Sequence, residues 1–97
     1  MPLEGPLDAQ YTRSGYLTIY APWHPLAMKS GVVSVARAIL YEKLGPGPHP
    51  CAHCGTEVDW GSGLEVDHLN WARLDNSPEN LVPSCRSCNS KRRNPSA

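Results

Sequence analysis

The chain has no phenylalanine, and its whole aromatic complement is three tryptophans and four tyrosines. A core built on stacked phenyl rings is therefore excluded, and 97 residues bury proportionally little apolar surface in any case. Ten prolines and eight glycines interrupt regular structure, so short elements and a metal staple are expected. No apolar run approaches the roughly 18 residues that span a bilayer, which excludes a membrane-crossing helix. The start, MPLEGPLDAQ, lacks the basic and apolar regions of a signal peptide, and a cytoplasmic location is the expectation. Net charge is also missing: nine bases balance nine acids. Taken alone, that argues against the uniformly basic surface of most nucleic-acid binders.

The zero average hides a separation. From Glu57 to Glu79 six acids stand against one base, Arg73, whereas Arg86, Lys91, Arg92 and Arg93 come after Cys85 with no acid among them. The basic tail is the expected phosphate-contacting element, because clustered Lys and Arg displace counterions from a phosphate backbone. The alternative for the same residues is a solvated helix end whose bases favour the negative pole of the macrodipole.

Present instead are four cysteines in two pairs, Cys51-x-x-Cys54 and Cys85-x-x-Cys88. Cytoplasmic thiols stay reduced, so closely spaced pairs read as metal ligands and not as disulfides. A two-residue spacer lets both sulfurs of a pair reach one ion, and four thiolates close a tetrahedral Zn²⁺ site with no open position, which makes the zinc structural. His53, between Cys51 and Cys54, is surplus to that ion and is expected as an exposed loop residue. His24 and His49 neighbour prolines in turn-like sequence, and both read as structural.

The fold class is α+β. Residues 1–15 lack periodicity and are expected to form a flexible arm. Residues 16–50 hold a strand at Tyr16–Tyr20, a helix between Gly31 and Gly45 with apolar side chains at helical spacing, and a Pro/Gly-rich connector expected to carry no regular element. Residues 51–97 form the zinc-bound module: a strand at Leu64–Leu69, a polar loop over 70–80, a return strand from Leu81 that Pro83 ends, and a helix over Arg86–Arg93. Asp67 and His68 would point to opposite faces of a regular strand, so a shared site predicts irregular backbone at or next to the doublet. Trp60 and Trp71 border this hairpin and are expected to fill the small core in preference to stacking on a base.

Cys51-x-x-Cys54, Asp67-His68, Asp75-Asn76-Ser77-Pro78-Glu79-Asn80-Leu81 and Cys85-x-x-Cys88-Asn89 together resemble the HNH endonuclease family. The likeness covers a little under half of the chain. It implies a ββα-metal (His-Me finger) core, stapled here by the zinc site of the four cysteines, with the N-terminal strand and helix packed on it. One position departs from the usual pattern: Asn89 stands where the family has its last histidine, giving an H-N-N signature.

The resemblance implies an endonuclease that hydrolyses phosphodiester bonds of DNA by nicking or double-strand cleavage, with weak sequence preference. Such cleavage needs an activated water, a neutralised phosphate and a stabilised leaving oxygen. His68 suits the general base, since an unperturbed imidazole is largely neutral at cellular pH. Asp67 and Asn89 offer hard oxygen donors that suit Mg²⁺ or Mn²⁺. Asn80 would join His68 in the catalytic constellation by fixing the imidazole through the nearby backbone. Arg86, Arg92 and Arg93 would contact DNA. Small phage-type relatives suggest a phage or mobile-element setting, in the host cytoplasm if phage-encoded, with terminase or packaging proteins as partners and a monomer or weak dimer as the working state. The alternative is a noncatalytic zinc-ribbon-like adaptor for DNA or protein, or a structural subunit of a packaging complex, for which the cysteines and basic tail suffice.

Overall fold

Leu17-Thr18-Ile19-Tyr20 is rich in β-branched and aromatic side chains and forms strand β2. The computed structural model, which describes residues 9–11 and 16–93, makes it the middle of a three-stranded antiparallel sheet. Ile19 pairs with Ala9 of β1 (Ala9–Tyr11) on one side and with Val33 of β3 (Val32–Ser34) on the other. The expected arm over 1–15 therefore holds a paired strand at 9–11; the rest of that stretch lies outside the described residues. Between β2 and β3 the chain reverses at Gly31, whose φ of 86° suits glycine and where a Cβ would come within 2.5 Å of the Tyr20 ring.

The helical pattern read over Gly31–Gly45 begins later than expected. Helix α1 spans Val35–Leu44, and Val32–Ser34 belongs to the sheet. Ser34 makes the switch: its backbone is extended (φ −65°, ψ 131°), while its hydroxyl accepts from the Arg37 amide at 3.4 Å as an N-cap. Gly45, at φ 79°, closes the other end by donating its amide to the Tyr41 carbonyl at 2.7 Å.

Helix α1 is apolar on two sides, and each side has a partner. Val35 and Ala38 pack with Ile19, Ala21 and Val33 of the N-terminal sheet region. Ala36 and Leu40 pack with Val58, Leu64 and Leu81 of the C-terminal module, and Ile39 touches both clusters. Lys43 adds a polar tie, donating to the carbonyls of Pro78 (2.9 Å) and Leu81 (3.1 Å). Trp60 is partly buried against the C-terminal cluster, as expected; its indole N–H donates to Gly45 O at 3.0 Å. His24 is buried with Nδ1 accepting from Leu26 N, and His49 Nε2 bonds Gly45 O, so both histidines are structural.

The connector does carry a regular element. His49–Pro50 (β4) pairs antiparallel with Glu57–Val58 (β5), and the first cysteine pair occupies the turn between them. Beyond it, Glu65–His68 (β6) pairs with Leu81–Ser84 (β7), and Arg86–Arg93 forms α2. This is the expected strand–strand–helix order. Pro83 lies within β7 instead of ending it. Its carbonyl accepts from Ala52 N at 2.8 Å, on the edge away from β6, and in a strand the missing N–H shares that side, so no ladder bond is lost. Among the described residues, no helix is long and apolar enough to cross a membrane.

Leu40 is fully buried where α1 meets the C-terminal module. Leu40→Ala is expected to cost about 2–5 kcal/mol of unfolding free energy, measured by urea titration. A loss below about 1 kcal/mol would show that this joint does not hold the fold, being under the range for a buried leucine.

Candidate functional site

The four sulfurs of Cys51, Cys54, Cys85 and Cys88 lie within 4.8 Å of one another, with Cys54 Sγ 3.8 Å from Cys85 Sγ. Sulfurs held about 2.3 Å from one tetrahedral ion stand roughly 3.8 Å apart. A disulfide would bring them to about 2.05 Å. The donor set thus fits one ion and no bridge. Two backbone amides face the sulfurs: His53 N donates to Cys51 Sγ and Cys88 N to Cys85 Sγ, each at 3.4 Å. Burial raises the Cys51 thiol, but the amides of Cys85, His53 and Cys54 outweigh it and bring its pKa down to about 5. Contacts with the Cys85 and Cys54 sulfurs push Cys88 up to about 12. Cys51 thus ionises readily while Cys88 resists ionisation, a conflict that a bound cation removes.

Beside this cluster, Tyr16, Asp67, His68, Trp71, Arg73 and Asn89 line a cleft of about 240 Å³. Asp67, His68 and Asn89 are all buried. The strand stays regular through the doublet, since Asp67 pairs with Val82 and His68 with Leu81. The backbone departs only afterwards: Trp71 N donates to His68 O at 3.0 Å, and Trp71 takes a φ of 67°. The expected irregularity therefore falls next to the doublet and not within it.

Glu65 and Asp67, two apart on β6, share the face that meets α2. Asn89 Nδ2 donates to Glu65 Oε1 at 2.9 Å, which turns the amide oxygen away from that contact. Asp67 Oδ2 is held by His53 Nε2 at 2.7 Å and by Arg92 Nε, the latter an ion pair outside hydrogen-bond alignment. The other Asp67 carboxylate oxygen and the Asn89 amide oxygen are hard donors of the type that suits a divalent cation.

His68 Nε2 lies 2.8 Å from Asn76 Oδ1. An amide oxygen only accepts, so this contact calls for a proton on Nε2. Asn80, buried as the last residue of the short 3-10 turn Pro78–Asn80, spends its side-chain hydrogen bonds on the loop and not on the ring. Its Oδ1 accepts from Asn70 N (3.1 Å), and its Nδ2 donates to Asn70 Oδ1 (2.9 Å) and Asp75 O (2.8 Å). Asn80 thus braces the loop that carries Asn76. Asp75 ties the same loop by accepting from the Ser77 hydroxyl and the Asn70 amide, contacts that hold its carboxyl below the usual range. Its contribution is present at neutral pH and is lost as pH falls through that depressed pKa.

Several contributors carry no clear signal in the sequence. His53 is no zinc ligand in this arrangement, as expected, but its ring reaches Asp67; nothing in its spacing indicates that contact. Asn76, within the Asp75–Leu81 stretch, and Glu65, which alternates with Asp67, stand out there only as polar neighbours. Trp71 is half exposed and lines the cleft, against the expectation that it fills the core. Of the basic residues, Arg92 turns onto Asp67, donates to Leu69 O at 3.1 Å and sits over the Trp71 ring at 4.8 Å. Arg86 is exposed at the start of α2, and the side chain of Arg93 lies outside the described residues.

Residues 51–94 match the HNH endonuclease family model. The matched stretch takes in the cysteine cluster and, of the cleft residues named above, all except Tyr16. No curated protein and no solved structure matches the chain.

Removing zinc with a chelator is expected to lower the thermal midpoint by roughly 10 °C or more, since each kcal/mol lost moves a domain of this size by about 4–8 °C. Cys85→Ala should act in the same direction and unfold the C-terminal module. A melt unchanged by chelation would remove the structural ion.

Proposed function

We propose that the chain is a metal-dependent DNA endonuclease in which His68 is the general base and Asp67 and Asn89 hold one Mg²⁺ or Mn²⁺. The observation that carries this reading is that these three side chains, contributed by β6 and α2, line one cleft inside an HNH endonuclease match. A divalent cation bound there supplies charge to polarise the scissile phosphate and to offset the negative charge growing on the leaving oxygen.

The chain's own groups do the rest. Asn76 holds the Nε2 proton of His68, so Nδ1 takes a proton from the attacking water. Asn80 is a positioning residue: it keeps the 70–76 segment folded so that Asn76 meets the ring. His53 and Arg92 occupy Oδ2 of Asp67 and leave Oδ1 for the cation, and Glu65 does the same for Asn89 by engaging Nδ2. Zn²⁺ on the four cysteines fixes the turn that carries His53 and the start of the helix that carries Asn89. Arg86 and Arg93 contact the DNA backbone, positioning it without reading bases, which leaves sequence preference weak. A phage or mobile-element setting, with packaging proteins as partners, follows from the resemblance to small phage-type members.

Wild-type protein incubated with supercoiled plasmid and Mg²⁺ or Mn²⁺ is expected to nick it, and His68→Ala to lose roughly 10²–10⁴-fold of that rate. Unchanged cutting by His68→Ala would remove the base assignment, and DNA retention without any nicking by wild type would favour the adaptor. His53→Ala is expected to weaken Mn²⁺ binding, read by calorimetry, by about tenfold with zinc content unchanged, while His53→Gln, which still offers an N–H, retains most of it. Equal Mn²⁺ affinity in wild type and His53→Ala would show that the ring does not orient Asp67.

A further inference from the structure

Trp71 is half exposed at a position where exposure is costly twice over. Its indole leaves apolar surface in water, and its backbone is left-handed at φ 67°, a region that bulky residues seldom adopt. The surrounding loop enforces this. Trp71 N is bound to His68 O, Ala72 N donates to Asn70 Oδ1 at 2.9 Å, and Asn80 clamps Asn70 to Asp75. The result is an indole standing in the wall of the cleft, three residues from His68, with the Arg92 guanidinium on its ring at 4.8 Å. Tyr16 lines the same cleft with its ring centre 6.2 Å from that of His68, and the Arg73 guanidinium lies over it at 5.4 Å. Two aromatic–guanidinium pairs therefore border the buried Asp67, His68 and Asn89.

That combination matches a nucleotide whose base is free. Aromatic faces stack on bases of any identity. Inside a duplex the faces of the bases are already stacked on one another, so an aromatic cleft wall meets only edges and backbone. We infer that Trp71 stacks on the base of an unpaired nucleotide, which makes single-stranded or locally opened DNA the substrate class of the cleft. The inference rests on the nuclease reading for its chemistry, and its contact is sequence-tolerant.

The test separates binding from cutting. Binding is read on the full-length His68→Ala protein by anisotropy of a labelled oligonucleotide, offered single-stranded or in a blunt duplex of the same sequence; cutting is read on wild type with Mg²⁺ or Mn²⁺. The single strand should bind more tightly, and adding Trp71→Ala should weaken it roughly 5- to 100-fold while changing duplex affinity less than about twofold, the range carried by base stacking. Trp71→Phe keeps a ring and should recover most of the loss, and the indole quenching seen on adding single strand should vanish in that variant. Trp71→Gly relieves the left-handed backbone, so weak binding with an undiminished melting temperature would assign the effect to the ring and not to folding. Equal affinity for the two DNA forms, or equal loss of both on Trp71→Ala, overturns the substrate class even if wild type cuts duplex. Single-strand binding through Trp71 in a wild type that cuts nothing would support the stacking site and overturn the hydrolytic reading instead.

Discussion

Sulfurs from the β4–β5 turn and from the start of α2 converge on one point, and the chain between them runs out and back as the β6–β7 hairpin. That convergence is the constraint on which the cleft depends. Cys51 and Cys54 bracket His53, whose ring reaches Asp67, while Cys85 sits at the head of α2, one turn before Asn89. The cysteine cluster is thus joined by short, stiff links to both oxygen donors. A chain with so few large side chains has little else with which to hold a helix against a two-stranded hairpin.

A buried carboxylate needs compensation, because removing a charge from water costs far more than packing returns. Asp67 has two cationic or proton-donating neighbours on a single oxygen, one from the cysteine turn and one from α2. The zero net charge of the chain is the sum of an acidic hairpin and a basic helix, and Asp67–Arg92 is where the two meet. Arg92 also donates to the Leu69 carbonyl and lies 4.8 Å from the centre of the Trp71 ring, so one guanidinium ties strand, loop and helix. Replacing it with lysine would keep the charge but lose the planar fork and the stacking face.

Local signals carried much of this fold. The bounds of α2, the body of β2, the hairpin and the cysteine cluster follow from period, composition and spacing over a few residues. β1 and β3 did not, because pairing of strands is decided by partners distant in the chain, and Val32–Ser34 shares the helical period of the adjoining α1. Asp67, His68 and Asn89 were legible because they sit inside a recognisable spacing pattern. His53 and Trp71 were not: the histidine is surplus beside four cysteines, and a tryptophan in a chain short of aromatics has the character of a core residue. Asn80 and Asn76 show the same limit in miniature, since both are loop amides and only three-dimensional contact decides which one meets the imidazole.

Pro83 extends this logic to the outside of the molecule. A two-stranded hairpin has two open borders, and an open border invites a neighbouring chain to add a strand. At Pro83 the outer border of β7 offers no N–H, and its carbonyl is already taken by Ala52 of the cysteine turn. A proline whose ring suggests the end of a strand instead stands inside one as a guard against sheet-to-sheet self-association, at a place where the small scaffold could otherwise polymerise through its backbone.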